Sequence, residues 1–250
     1  MQQEIPLAGG NATAGVVRVG STVRKPWSDH SAGVLEYMRI LRERGIDLPE
    51  PMGQDEQGRM MTEFVAGPLA TDSVPLSDAK LAKVGAMVRA IHDASQGLEP
   101  DALGLGPALI PVAEPDLVCH GDLTPWNLVV GDRWVFIDWD GAAVSTRAWD
   151  LAYSAQAFTL NDAAADPARA AEGLRAFVGG YGADAAVRTV LPELLHQRAW
   201  AMHDLLETSH RQGREPWGSM YTDSHGAHWR GIAQFLHDNT SVWREALTTR

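Results

Sequence analysis

The chain has 250 residues, 45% of them hydrophobic and 21% charged, with a formal net charge of −11. That length buries a sizeable core, and the apolar content excludes a disordered polypeptide. The acidic balance argues against a nucleic-acid partner, which would demand a basic footprint to displace counterions, and suits an amine-bearing ligand. The single cysteine, Cys119, rules out an intrachain disulfide framework, and MQQEIPLAGG lacks the basic-then-apolar order of a signal peptide. No apolar run reaches the roughly 20 residues that span a bilayer. A cytoplasmic protein with no membrane partner is expected.

In chain order, VVRVG (16–20) and STVRKPW (21–27) are β-branched runs meeting at a Gly-Ser turn, which predicts a hairpin. Between Ser31 and Arg44 the apolar residues Val34, Leu35, Met38 and Leu41 recur at helical spacing, and Gly45 follows the last turn. A second hairpin is expected beyond Pro49 and Pro51, turning at DEQG (55–58) into RMMTEFV. A Gly/Pro/Ser-rich joint then leads to a strong helix over 78–95, with Ser77 available as its cap. Short strands follow at DLVCH (116–120), NLVV (127–130) and WVFIDW (134–139), the last after a Gly-Asp-Arg turn. From Trp149 onward the pattern is mostly helical.

The chemistry is concentrated in His120-Gly121-Asp122-Leu123-Thr124-Pro125-Trp126-Asn127, followed eleven residues later by Asp138 in Phe-Ile-Asp-Trp-Asp. Phosphoryl transfer needs a carboxylate to orient and deprotonate the attacking hydroxyl, and oxygen ligands for the Mg²⁺ that neutralises the phosphates. Asp122 can supply the first, Asn127 and Asp138 the second. Singly, a loop Asp or Asn would serve as an Asx turn. It is their order and spacing that point to a metal cleft. His120 is read as a shaper of the loop, and Asp140 as a supporting carboxylate or a substrate contact.

These residues are similar to the catalytic loop of the aminoglycoside phosphotransferase and choline kinase group, relatives of the protein kinases. Ala90-Ile91-His92 and Asp150-Leu151-Ala152 also resemble that family, over roughly residues 10–160. The resemblance implies a protein-kinase-like α+β fold of two lobes: a small β-rich nucleotide-binding lobe over 1–66 and a larger, mainly helical lobe over 67–250. It implies Asp122 as catalytic base, Asn127 and Asp138 as Mg²⁺ ligands, ATP or GTP as donor, and Asp150 as a cap or anchor of the helix that begins there. Adenine would lie against Glu63, Phe64 and Val65, paired with backbone groups of Glu63 and Val65, and the glycine-rich stretch 7–15 stands where a phosphate-covering loop belongs.

The sequence departs from the family at two places. The lysine that should hold the α- and β-phosphates could be Arg24 or Lys25, adjacent residues whose side chains leave opposite faces of a strand. The helix glutamate that should pair with it falls near the apolar Val34, the nearest acid being Glu36. For the acceptor, Asp204 and Glu207 could bind an ammonium group, and Trp200 and Trp217 could stack on a ring or cation. The histidines 196, 203 and 210 recur by sevens without completing a zinc shell. The expected activity is transfer of a γ-phosphoryl group to a hydroxyl of a small amino sugar or amino alcohol. A metabolic kinase for a non-antibiotic substrate and a catalytically silent nucleotide-binding module are the rivals.

Overall fold

A computed structural model describes residues 3–7 and 15–248. Of the stretch 7–15 expected to cover phosphates, residues 8–14 lie outside the described residues. The chain forms two compact units, one joining Met1–Ser73 to Ile91–Ser145, the other Val74–Ala90 to Thr146–Arg250.

In the first unit, β1 (Glu4–Pro6), β2 (Val17–Val19), β3 (Thr22–Lys25), β4 (Pro51–Gln54) and β5 (Met60–Glu63) build an antiparallel sheet of order β1-β2-β3-β5-β4. Val19 pairs with Thr22 across the expected Gly-Ser turn. The helix α1 (Ser31–Glu43) lies beside β4 and buries Val34, Leu35, Tyr37, Met38 and Leu41, the stripe that its spacing requires. The turn between β4 and β5 is organised by Asp55, whose Oδ1 accepts from the Gln57 and Arg59 N–H groups at 3.0 and 2.9 Å. The Arg59 N–H, with help from the Gln57 N–H and the Arg59 guanidinium, holds the Asp55 carboxyl below the ordinary aspartate range. A carboxyl depressed by folding contributes stability above its unfolded pKa and loses it as pH falls through the folded value. The urea midpoint of Asp55→Asn, measured at neutral pH and below pH ~4, should therefore fall less on acidification than that of the wild type.

After α2 (Asp78–Ala94), which crosses the border between the units, and the single turn α3 (Pro100–Leu103), the first unit closes on two small ladders. The strand β6 (Leu117–Cys119) pairs with β9 (Ala143–Ser145), and β7 (Leu128–Val130) with β8 (Trp134–Phe136). The second ladder therefore lies within the sequence span that the first closes. Segment 66–69 crosses β7, with Leu69 bridged to Val129 and the Val130 N–H donating to the Pro68 carbonyl at 2.9 Å.

The second unit is helical: α4 (Arg147–Thr159), α5 (Pro167–Tyr181), α6 (Ala185–Gln212), the short α7 (Trp217–Met220), α8 (Gly226–Asp238) and α9 (Thr240–Thr248). The cap of α4 is Thr146, whose hydroxyl accepts from the Trp149 N–H, so of the two roles expected for Asp150, cap or anchor, the first falls to Thr146, and Asp150 lies buried in the first turn. The helices α2 and α5 meet through glycines: a Cβ on Gly180 would stand 2.0 Å from the Ala82 carbonyl oxygen, and one on Gly85 2.1 Å from that of Phe177. Leu174, Phe177, Leu195, Leu206, Ile232, Leu236 and Trp243 fill this unit's core. No helix among the described residues is long and apolar enough to cross a membrane.

Candidate functional site

The loop between β6 and β7 is held from below by His120, which is fully buried. The Asp122 N–H donates to its Nδ1 at 3.2 Å, and Nε2 lies 3.2 Å from the Ile137 carbonyl. An imidazole that accepts at Nδ1 carries its proton on Nε2, so this ring is neutral and donates to Ile137. The ring packs 4.4 Å from that of Trp139, whose Nε1 donates to the Phe136 carbonyl. From α1, Tyr37 reaches the same cluster: its ring lies 5.8 Å from Trp139 and its hydroxyl donates to the Val118 carbonyl in β6. One buried network thus positions the strand before the loop, the loop itself and the strand that returns beside it. Gly121 makes the turn possible, with φ of 82° and room for a hydrogen only, since a Cβ would come within 2.7 Å of the Gly141 carbonyl oxygen.

On this frame Asp122 and Asn127 are brought together. The Asn127 Nδ2 donates to Asp122 Oδ2 at 2.7 Å and to the Asp122 carbonyl at 3.1 Å, and the Trp126 Nε1 donates to the same Oδ2 at 3.3 Å. The donor half of the buried Asn127 amide is thereby committed to the aspartate, which leaves its carbonyl oxygen as the atom suited to a cation. The Ile137 N–H donates to the Asn127 main-chain carbonyl at 2.8 Å, tying Asn127 to the residue before Asp138. Asp138 itself adopts a left-handed conformation, φ 64° and ψ 62°, which costs on the order of 1–2 kcal/mol in a residue with a Cβ. Strain of that size persists where the surroundings impose it, and here it turns the chain at the end of β8. An amide oxygen and a carboxylate are hard donors of the kind Mg²⁺ prefers, so the residue set fits that ion.

Lys25, at the end of β3, extends to this segment: its Nζ lies 2.5 Å from Asp138 Oδ1 and 2.9 Å from Asp140 Oδ2. Burial opposes its charge, but Asp138 and Asp140 together hold the ammonium above the usual lysine range. Burial pushes the Asp140 carboxyl up from its ordinary value, against the pull of Lys25 and with the push of Asp138. Arg24 turns to the other face and pairs with Asp55 at 3.1 Å. Of the two candidate cations, the structure brings only Lys25 to Asp138. Glu36 stays on the outer face of α1, bound to Arg39 at 2.6 Å.

Glu63 is engaged by its side chain with Arg133 at 2.6 Å, while its N–H donates to the Glu50 carbonyl and that of Phe64 to the Ser21 carbonyl. The Phe64 ring is covered by the Arg18 guanidinium at 4.0 Å. These bonds commit the N–H groups of Glu63 and Phe64.

Within the helical unit a cleft of about 720 Å³ is lined by Trp200, His203, Tyr221, Arg230 and Gln234, with Gly226, Ala227 and Gly231. Trp217, Asp204 and Glu207 are not among its lining, and Asp204 lies outside it, 3.2 Å from His203 Nδ1. Of the three histidines spaced by seven, His196 meets Glu193, His203 meets Asp204, and both His203 and His210 pack against the Tyr221 ring.

This arrangement has known counterparts. Residues 101–189, which contain Asp122, Asn127, Asp138 and Asp140, match the model of the phosphotransferase enzyme family. Over 96% of this chain and 93% of the other, the structure superposes on spectinomycin phosphotransferase in complex with ADP and spectinomycin, with a TM-score of 0.65 and 15% identity. Against a choline/ethanolamine kinase family protein from Mesorhizobium loti the TM-score is 0.63, at 18% identity, covering 98% and 92% of the two chains. The fold is that of the kinase-like phosphotransferases. The resemblance read from the catalytic loop therefore holds for the fold, and the α+β class expected from the sequence is the one found. Among curated proteins, the trifolitoxin immunity protein of Rhizobium leguminosarum bv. trifolii is 30% identical over 158 residues. That alignment spans 57% of this chain and 57% of the immunity protein.

Sequence reasoning left two parts of the site unassigned. The contact between Lys25 and Asp140 joins residues 115 apart and has no local signature. The bracing by Tyr37 was hidden among the apolar positions of α1, although a tyrosine on a buried helical stripe is a signal that its hydroxyl has a partner.

Proposed function

We propose that this protein is a small-molecule kinase that transfers the γ-phosphoryl group of ATP or GTP to a hydroxyl of an amino sugar or amino alcohol. The observation that carries the reading is the bond of Asn127 to Asp122 on a frame that also fixes Ile137, the residue before Asp138, with Lys25 reaching Asp138 from the sheet. Asp122 orients the acceptor hydroxyl and takes its proton. The Asn127 and Trp126 side chains donate to its Oδ2 and fix its direction, so the carboxylate meets the hydroxyl without first searching rotamers. Asn127, through its side-chain oxygen, and Asp138 would hold Mg²⁺. When bound, that ion offsets the charge of the phosphates and the charge that develops during transfer. Lys25 would hold the α- and β-phosphates, while the Glu63 carbonyl and the Val65 N–H would meet the base. The match of residues 101–189 to the phosphotransferase family and the ADP held by the spectinomycin enzyme support this reading.

An amine-bearing acceptor fits the net charge of −11. If the cleft of the helical unit receives the acceptor, one observation favours the second reading, a metabolic kinase whose acceptor is not a polyamine: among the described residues its charged lining residue is Arg230, and no carboxylate lines it. Transfer of labelled γ-phosphate from ATP and from GTP, across aminoglycosides, amino alcohols and uncharged or acidic sugars, separates the two. Labelled aminoglycoside or amino alcohol supports the first, labelled sugar the second, and nucleotide binding without transfer to any acceptor replaces both with a silent nucleotide-binding module.

A further inference from the structure

A lysine that is to meet phosphate must be held extended, because a long side chain otherwise spends its rotamer freedom on unproductive poses. In kinases a glutamate on the helix beside the sheet provides that hold. Here α1 has two acids, Glu36 and Glu43, and both bind Arg39 on the exposed face. The helix turns Val34, Leu35, Tyr37, Met38 and Leu41 inward. The carboxylates at Lys25 come from another place, the turn after β8, where Asp138 and Asp140 both lie within hydrogen-bond distance of its Nζ. If Asp138 ligates Mg²⁺, it cannot also be devoted to the lysine.

We infer that Asp140 is the positioning residue for Lys25, doing from the catalytic segment what a helix glutamate does elsewhere and leaving Asp138 to the metal. The backbone supports the assignment from both sides. The register of β3 on β5 sets Lys25 opposite Met60, which fixes the root of the side chain. On the other side, Asp140 sits in the 3₁₀ turn Trp139–Gly141, and that turn is anchored by the buried Trp139 ring through its bond to the Phe136 carbonyl. The Lys25 side chain is only 12% exposed, so an ammonium there would be costly without such a partner. Because Asp138 immediately precedes the turn that carries Asp140, the phosphate-holding cation and a metal ligand share one support.

This inference rests on the phosphotransferase reading and is tested by nucleotide binding, with no acceptor required. Affinity for Mg-ADP is measured by titration calorimetry on the full chain. Asp140→Asn should weaken binding about tenfold, the size typical of losing a partner that orients a ligand-holding group. Asp140→Glu should recover part of that loss, and Glu36→Gln should bind as the wild type does. The deciding variant is the double substitution. If Asp140 acts through Lys25, Lys25→Met with Asp140→Asn binds no more weakly than Lys25→Met alone. Losses that multiply in the double variant, wild-type affinity in Asp140→Asn, or a lowered Tm with affinity unchanged overturn the inference while leaving the kinase reading in place. Failure of the wild-type chain to bind Mg-ADP overturns both.

Discussion

Asp122→Asn should lower kcat by on the order of 10²–10⁴-fold, the range that a positioned proton acceptor supplies, with little change in the KM for nucleotide. The substitution keeps the volume of the side chain, and its amide oxygen can still accept from Asn127 and Trp126 where Oδ2 does now. What it removes is the negative charge and the capacity to take a proton. An effect confined to kcat is the mark of an interaction made in the transition state, whereas a rise in KM with kcat preserved would assign Asp122 to binding. An unchanged kcat would remove it from the chemistry altogether. The melting temperature should stay close to that of the wild type, because the loop is held by His120 and Trp139 more than by the charge at its rim.

The largest loss of stability is expected at His120. Leucine there would nearly fill the space, but would strand two part-buried main-chain groups, the Asp122 N–H and the Ile137 carbonyl, that the imidazole now joins. A fully buried group left unsatisfied costs about 1–3 kcal/mol and these two are only partly buried, so His120→Leu should cost at most about 2–6 kcal/mol, read as a fall in the urea midpoint at constant m. Activity should fall further than stability does, because the same ring sets both the Asp122 loop and the strand leading into Asp138. A variant as stable as the wild type would mean that water or a rearranged loop replaces the ring.

How far the sequence foretold this structure depended on whether a signal was local. The β2–β3 hairpin was legible because two β-branched runs meet at a two-residue turn, and α1 because its apolar residues repeat at three and four. The strand β1 escaped notice: it is a short, exposed edge strand with a proline and an exposed Ile5, and only its partner β2 defines it. The strand β9, Ala-Val-Ser, is too short to show a period and exists through β6, some two dozen residues earlier. The start of α4 was misplaced because Asp150 is a plausible cap by type, while Thr146 takes the position by geometry. At the candidate site, Asp122, Asn127 and Asp138 stood out because their spacing is set by one loop and one hairpin. The choice between Arg24 and Lys25 did not, since strand neighbours differ only in the face that they present. Their partners, Asp55 for one and Asp138 with Asp140 for the other, lie at distances along the chain that composition cannot reach.

The nesting of the β7–β8 ladder inside the β6–β9 ladder has a consequence for how the protein assembles and changes. Residues 117–145 leave and return through one clasp, Leu117 opposite Ser145, and carry Asp122, Asn127, Asp138 and Asp140. Closing so short an excursion costs little chain entropy, so this segment can organise early, from contacts close in sequence. Lys25 is the exception: it arrives from more than a hundred residues away and completes the cluster only when the sheet has docked. The span bearing the proposed base and metal ligands is therefore self-registering.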